Sequence, residues 1–156
     1  MDSKDCRRSF LKCAAFGLAA LGLSDLDSAA LPVAEGAPGA GAGNERRYPI
    51  PATDGVTIDR ANQLITVRYQ QHLYAFNLAC PHENTALKWL PKDGRFQCPK
   101  HESRYQPNGI FIGGRATRNM DRLGVHLEDE ILVVDLSRFY RSDKDPSGWA
   151  GATVAL

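Results

Sequence analysis

The chain has 156 residues, a formal net charge of +1 and 43% hydrophobic residues. This length accommodates one domain with appended segments, and the composition is that of a globular protein. A nearly neutral chain lacks the strong positive charge that draws proteins to nucleic acid or to anionic membrane surfaces, so the composition predicts neither partner.

Residues 1–30 are predicted to be an export signal. The segment Arg7 to Lys12 reads RRSFLK, and an apolar run from Cys13 to Leu23 follows it. Paired arginines ahead of a short apolar stretch are typical of a bacterial twin-arginine (Tat) signal. The protein is therefore expected to be exported to the periplasmic side.

The length of the apolar run indicates whether the signal can anchor the exported protein in the membrane. At 1.5 Å per residue, the run from Cys13 to Leu23 spans roughly 16 Å, about half of the hydrocarbon core of a bilayer. This favours a soluble product released by cleavage after Ala30. An uncleaved segment that tethers the protein to the inner membrane is the alternative.

Residues 31–46 are predicted to be a flexible linker. From Pro32 to Asn44 the chain consists mainly of Ala, Gly and Pro. Such a segment buries too little apolar surface to offset the entropy lost on ordering. The folded domain is expected to begin near Arg47.

The segment 47–136 is predicted to be all-β, a small antiparallel domain of sandwich-like or barrel-like form. Apolar residues there alternate with period two between turn residues, and no stretch has convincing helical periodicity. The predicted strands are 56–59, 64–69, 73–77, 95–97, 109–112, 123–126 and 131–135, and the predicted turns include 59–62, 70–71, 93–94, 108–109 and 128–129. Residues 137–156 are expected to be a tail of weak pattern, with Trp149 docking it onto the domain.

Two short clusters carry the chemistry of this chain. One is Cys80-Pro81-His82 and the other is Cys98-Pro99-Lys100-His101. Two thiolates on one iron and two imidazoles on the other hold a two-iron, two-sulfur cluster of raised potential. We therefore predict that Cys80, His82, Cys98 and His101 bind one 2Fe-2S cluster, and we predict no catalytic residue.

Two other sites remain open for these residues. Cys6 and Cys13 lie in the predicted signal, so Cys80 and Cys98 could pair as a disulfide in an oxidising compartment. A disulfide does not explain why a histidine follows each cysteine. A structural zinc ion is the second alternative, although common zinc sites pair like residues in each half of the motif.

The spacing Cys80-x-His82, fifteen residues, then Cys98-x-x-His101 resembles the Rieske signature, and the resemblance extends over about residues 48–136. It implies an antiparallel β domain that carries the cluster at the tip of two loops. The cysteines would bind the inner iron, and the histidines would bind the outer, solvent-facing iron.

Some positions differ from those of quinol-oxidising Rieske subunits, which resemble Cys-Thr-His-Leu-Gly-Cys and Cys-Pro-Cys-His-Gly-Ser. Thr85 and Lys100 occupy the positions of two cysteines that form a loop-tying disulfide in those proteins, and Glu102 replaces a glycine. In this respect the chain is similar to Rieske ferredoxins. Ser103 and Tyr105 stand where the quinol-oxidising proteins place hydroxyls that donate to the cluster, so we expect a potential above that of oxygenase ferredoxins. Hydrogen bonds to nearby backbone are the alternative for both.

The resemblance implies one-electron transfer, as an exported iron-sulfur subunit or soluble carrier of a respiratory or other oxidoreductase complex. Its partner would be a redox protein or a quinol-oxidising complex, of quinol:cytochrome c reductase type or arsenite-oxidase type. A Rieske ferredoxin-type donor to an oxygenase and a zinc-stabilised, non-redox β module are the alternatives.

Other polar residues receive smaller roles. His72 and His126 are expected to be surface or partly buried residues rather than ligands. Gly113-Gly114 is expected to form a third loop over the cluster. Four arginines downstream of the site are predicted either to steer an acidic partner or to form an ordinary solvated face: Arg104, Arg115, Arg118 and Arg122.

Overall fold

A computed structural model of the chain describes residues 33–34, 39–40 and 43–156. The predicted export signal, residues 1–30, lies outside the described residues and stays a prediction. Within the described part of the chain, no helix is long and apolar enough to span a bilayer.

The described residues form two β-sheets with very little helix, which confirms the all-β prediction. The strands are β1 (Val33–Ala34), β2 (Gly39–Ala40), β3 (Glu45–Pro49), β4 (Gly55–Asp59), β5 (Leu64–Tyr69), β6 (His72–Asn77), β7 (Lys88–Leu90), β8 (Arg95–Gln97), β9 (Arg104–Tyr105), β10 (Phe111–Gly113), β11 (Arg122–Glu128), β12 (Ile131–Tyr140) and β13 (Val154–Ala155). A 3-10 turn covers Pro91–Asp93, and a short helix, α1, covers Pro146–Gly151.

The larger sheet has the strand order β1-β4-β5-β6-β11-β12-β3-β2, with β13 added beside β6. Its pairs are antiparallel except for β1 with β4. The smaller sheet has the order β10-β9-β8-β7 and is antiparallel throughout. The smaller sheet lies between β6 and β11 in sequence, and the loops at its strand ends contain both Cys/His clusters.

Period-two alternation located several strands closely. β5 and β8 have the predicted bounds, whereas β12 continues five residues past its predicted end at Asp135. The pairing of β11 with β12 shifts register between Leu123 and Gly124, where Asp135 accepts hydrogen bonds from Ser137. A Cβ on Gly124 would lie 2.9 Å from Cβ of Arg138, so glycine lets the bulged strand pass.

Short strands of the larger sheet also lie outside the segment 47–136. The sheet begins before Arg47, because β3 starts at Glu45 and the two short strands β1 and β2 pair with β4 and β3. At the other end, β13 pairs with β6, and Trp149 Nε1 donates to the Met120 carbonyl at 2.7 Å. The last segment is therefore attached to the sheet through both strand pairing and Trp149.

The hairpin turns follow from left-handed backbone. Gln70 and Gln71 have φ of 51° and 62°, the pattern of a two-residue hairpin that matches strand twist. Asp129 and Glu130, between β11 and β12, also have positive φ, of 46° and 67°. The turn therefore lies at 129–130, one residue after the predicted turn at 128–129.

Two groups of buried side chains fill the domain. One lies between the larger and smaller sheets and includes Phe76, Trp89, Phe96 and Met120, together with both site cysteines. The other is formed by strands of the larger sheet and includes Tyr48, Leu64 and Leu132. The site cysteines therefore lie at the edge of the inter-sheet core, where the backbone around them is held by packing.

Candidate metal centre

Two loops with the same backbone frame present the Cys/His clusters. In the first loop, Cys80–Thr85, the Cys80 amide donates to the Thr85 carbonyl at 2.8 Å, and the Asn84 amide donates to the Cys80 carbonyl at 2.9 Å. In the second loop, Cys98–Ser103, the corresponding bonds are Cys98 to Ser103 at 2.9 Å and Glu102 to Cys98 at 3.0 Å. Each loop is thus a closed turn with its cysteine at the first position.

The fifth position of each loop has a left-handed backbone. Asn84 has φ of 54° and Glu102 has φ of 55°. Asparagine tolerates this conformation, whereas a glutamate is strained in it. Quinol-oxidising Rieske subunits have a glycine at the position of Glu102, and glycine adopts this conformation without strain. The replacement of that glycine by Glu102 therefore introduces backbone strain into the second loop.

The two thiols are buried and free. Cys80 is 0% and Cys98 is 1% exposed, and neither forms a disulfide. Two buried, unpaired thiols, each at the first position of its loop, suit a soft metal centre shielded from water. The disulfide alternative is not supported by these loops.

The two imidazoles lie beside each other at the surface. The rings of His82 and His101 have centroids 5.0 Å apart at an angle of 76°. About a quarter of each side chain is exposed, yet Nδ1 of each ring is buried and has no hydrogen-bond partner among the described residues. A buried polar atom without a partner is costly and rare in proteins, so two such nitrogens in the same two loops as two buried thiols fit a two-Cys, two-His cluster.

Glu83 is a site residue that sequence reasoning missed. Its carboxylate lies 3.9 Å from Nε2 of His82, 3.7 Å from Nδ1 of His101 and 2.5 Å from Nζ of Lys100. The hydrogen bond from Lys100 lowers the pKa of Glu83 below its usual value. Glu102 follows His101 in the sequence, and its side chain is exposed. Among the described residues, only Glu83 has a carboxylate within 4 Å of the two rings.

The same carboxylate leaves another ligand set possible. Donor atoms of His82, Glu83 and His101 lie within 4.8 Å of one another, close enough to hold a single metal ion. Such a site would leave both buried thiols unused. The adjacency of Glu83 to His82 in sequence was the available signal for it.

Tyr105 and Ser103 are fully buried beside the cysteines. Tyr105 Oη lies 3.4 Å from Cys80 Sγ. The pKa of Tyr105 is raised well above its usual value, mainly by burial and secondly by this hydrogen bond. The phenol is therefore protonated and able to donate to a thiolate. Ser103 Oγ accepts a hydrogen bond from the Ala116 amide at 2.9 Å, as the alternative of a bond to nearby backbone predicts. The hydroxyl proton of Ser103 is not used in that bond and can be donated elsewhere.

The third loop packs on the second. Gly114 has φ of +111°, and a Cβ there would lie 2.5 Å from Cα of Ser103 and 2.7 Å from the Glu102 carbonyl oxygen. Only glycine permits this approach, so Gly113-Gly114 braces the backbone of the second loop.

The four arginines do not form one charged face. Arg104 and Arg115 are exposed, whereas Arg122 is only 5% exposed and Arg118 forms an ion pair with Asp121. The guanidinium of Arg122 donates to carbonyls of the last segment and of Asn108, and burial lowers its pKa to about 10. The prediction of a common steering face is therefore wrong for Arg118 and Arg122.

The two remaining histidines belong to strands of the larger sheet. Nδ1 of His72 lies 2.9 Å from the Gln70 carbonyl oxygen, and Nε2 of His126 lies 3.2 Å from a Glu128 carboxylate oxygen. Both rings have ordinary polar partners there, in contrast to the orphaned nitrogens of the two loops.

Comparison with known proteins gives a consistent result. A family model described as the Rieske [2Fe-2S] domain matches residues 46–129. The chain is 31% identical over 70 residues to the chloroplastic cytochrome b6-f complex iron-sulfur subunit of Bigelowiella natans, covering 45% of this chain and 27% of that protein. It is 28% identical over 80 residues to cytochrome b6-f complex iron-sulfur subunit 2 of a Synechocystis strain, covering 49% and 44%.

Among solved structures, the plasma membrane Rieske protein PetC3 from Synechocystis PCC 6803 aligns with a TM-score of 0.43 and 19% identity, over 59% of this chain and 86% of that one. The chain matches less than half of the length of the two curated relatives named above.

Proposed function

The chain belongs to the Rieske [2Fe-2S] domain family and carries one such cluster, and from this premise we propose that Cys80, His82, Cys98 and His101 are its ligands. The observation that carries the proposal is that the same two loops hold two buried Nδ1 atoms, of His82 and His101, without hydrogen-bond partners among the described residues, and two buried free thiols. When bound, the cluster accepts and releases one electron at a time.

The protein side chains set how readily that electron is accepted. As ligands, neutral imidazoles of His82 and His101 would give the centre less negative charge than two further thiolates, which would favour reduction. The Tyr105 hydroxyl donates toward Cys80 Sγ, which stabilises added negative charge at that thiolate.

Electrons are proposed to enter and leave at the exposed edges of the two imidazoles. About a quarter of each histidine side chain reaches solvent, whereas the thiols are buried behind them. An open cleft of about 270 Å³ beside His101 is lined by Arg95, Glu102 and Arg104. Arg95 is paired with Asp93, so the exposed Arg104 is the cation of this lining that would attract a partner with acidic groups. No catalytic side chain is required for this role.

We further propose that the protein is an exported iron-sulfur subunit of a quinol-oxidising complex of the cytochrome b type. The names of its relatives support this, since they are cytochrome b6-f complex iron-sulfur subunits. Residues 1–30 would direct it to the periplasmic side, where it would be soluble or tethered to the membrane.

A Rieske ferredoxin-type donor is the second candidate. Thr85 and Lys100, at the positions of the disulfide cysteines in quinol-oxidising proteins, favour it. Purification from the native membrane distinguishes the two, because a subunit is expected to be recovered with a cytochrome b partner. Recovery with an oxygenase from the soluble fraction would instead establish the donor role.

The electron-transfer proposal is tested on the purified full chain. Metal and sulfide analysis should find two irons and two sulfides per chain, and redox titration should give a potential within about −150 to +300 mV. The C98S variant, which removes one ligand, is the matched control and should contain no cluster. A colourless protein containing one zinc ion would overturn the proposal.

A further inference from the structure

An ion pair joins the tips of the two ligand loops. Lys100 Nζ of the second loop lies 2.5 Å from Oε2 of Glu83 in the first loop. Each of these residues is the immediate chain neighbour of a histidine of the site, Glu83 following His82 and Lys100 preceding His101. A contact between them therefore restrains the two histidines relative to each other.

Among the backbone hydrogen bonds of the described residues, none joins the first loop to the second. The frame hydrogen bonds of Cys80–Thr85 and of Cys98–Ser103 each run within one loop. At the tips, the side-chain contacts between loops are the edge-on packing of His82 against His101 and the contacts of Glu83.

Both partners are charged at neutral pH. A carboxylate and an ammonium group keep their charges at this pH, and Oε2 of Glu83 and Nζ of Lys100 lie 2.5 Å apart. Their side chains are 40% and 56% exposed, so the attraction is screened by dissolved salt.

We propose that the Glu83–Lys100 ion pair is a clamp that holds the two ligand loops closed over the cluster. It rests on the ligand set proposed above. Lys100 occupies one of the positions at which quinol-oxidising Rieske proteins form their loop-tying disulfide, and here it ties the same two loops through charge. Unlike a disulfide, this clamp is insensitive to thiol reductants and weakens as ionic strength rises.

The test measures the rate at which the loaded full-length protein loses its cluster on warming, followed by bleaching of the visible absorbance. E83Q and K100Q should each accelerate loss about two- to fivefold at low salt, the range expected for an exposed ion pair. The double variant should lose its cluster no faster than either single variant, because one interaction is removed in all three. The charge-reversed pair E83K/K100E should recover most of the wild-type lifetime.

Salt gives an independent measure of the same clamp. High salt should accelerate loss from the wild type toward the rate of the single variants and should change the variants little. E128Q, which removes the carboxylate paired with Arg47 on the larger sheet, is the matched control and should leave the rate unchanged.

The reduction potentials separate a clamp from a simple charge effect. Removing a negative charge in E83Q should raise the potential, and removing a positive charge in K100Q should lower it, whereas both should accelerate cluster loss. Additive effects of the two substitutions, loss rates that move in opposite directions, or no recovery in E83K/K100E would each overturn the clamp. Failure of the wild type to assemble a cluster would instead overturn the proposed ligand set.

Discussion

The two ligand loops have the same backbone frame but are supported in different ways. The first loop, Cys80–Thr85, is closed by a bridge between Ala79 and Ala86 and is approached by the Tyr105 hydroxyl. The second loop, Cys98–Ser103, is braced from outside by Gly114, which contacts its backbone. The frame therefore positions each cysteine, whereas residues outside the frame are expected to adjust stability and potential.

The largest expected effect tests whether the loops are equivalent as ligand carriers. H82A and H101A should each reduce the iron retained by purified protein by more than about tenfold, because each removes one of four donors. Iron analysis measures this directly, and H72A is the control, since its ring contacts the Gln70 carbonyl instead. Retention of a normal cluster by either loop variant would show that the loops are unequal.

The next effect tests the external brace of the second loop. G114A places a Cβ against Ser103 and forces a residue other than glycine to a φ of +111°, so we expect a loss of about 1 to 3 kcal/mol in the free energy of unfolding. G94A has φ of +58° with open space around it and should lose about 1 kcal/mol or less. Urea unfolding of both variants compares them, and equal losses would show that the brace contributes nothing.

Tyr105 tests the support of the first loop. Y105F removes the hydroxyl that donates toward Cys80, and if that bond favours the reduced state by ~1 kcal/mol, the potential falls by about 40 mV. Y48F removes a buried hydroxyl bonded to Asp59 in the other core and should leave the potential unchanged. Redox titration of the two variants decides, and an unshifted Y105F would mean that the hydroxyl does not act on the cluster.

The smallest effect concerns the fifth position of each loop. E102G should raise the free energy of unfolding by up to about 1 kcal/mol, because glycine adopts a φ of 55° without strain. N84G should change it less, since asparagine already tolerates this conformation. Destabilisation by E102G, measured by urea unfolding, would mean that the glutamate makes a compensating contact.

Much of the site could be predicted from sequence because its residues are close in the chain. The Cys/His spacing placed all four candidate ligands in two short loops, and period-two alternation located β5 and β8. The role of Glu83 could not be found in this way, since its partner Lys100 lies on the other loop and only the folded chain brings them together.

The parts of the fold that sequence reasoning missed have local physical causes. The predicted strand ends at Asp135, five residues before the end of β12, because the bulge after Asp135 breaks the alternation. Arginine is usually exposed, yet Arg122 is buried because it donates to backbone carbonyls and packs on the Trp149 ring. β13 has two residues, too few to give a periodic signal.

The central claim is that one imidazole from each loop binds the same cluster, and pulsed EPR of the reduced protein tests it most directly. We expect magnetic coupling to two histidine nitrogens, with one coupling lost in each of H82A and H101A if residual cluster is detected. The accompanying potential should lie above about −150 mV. A signal without nitrogen coupling and a potential near −400 mV, as for an all-cysteine ferredoxin, would contradict the account.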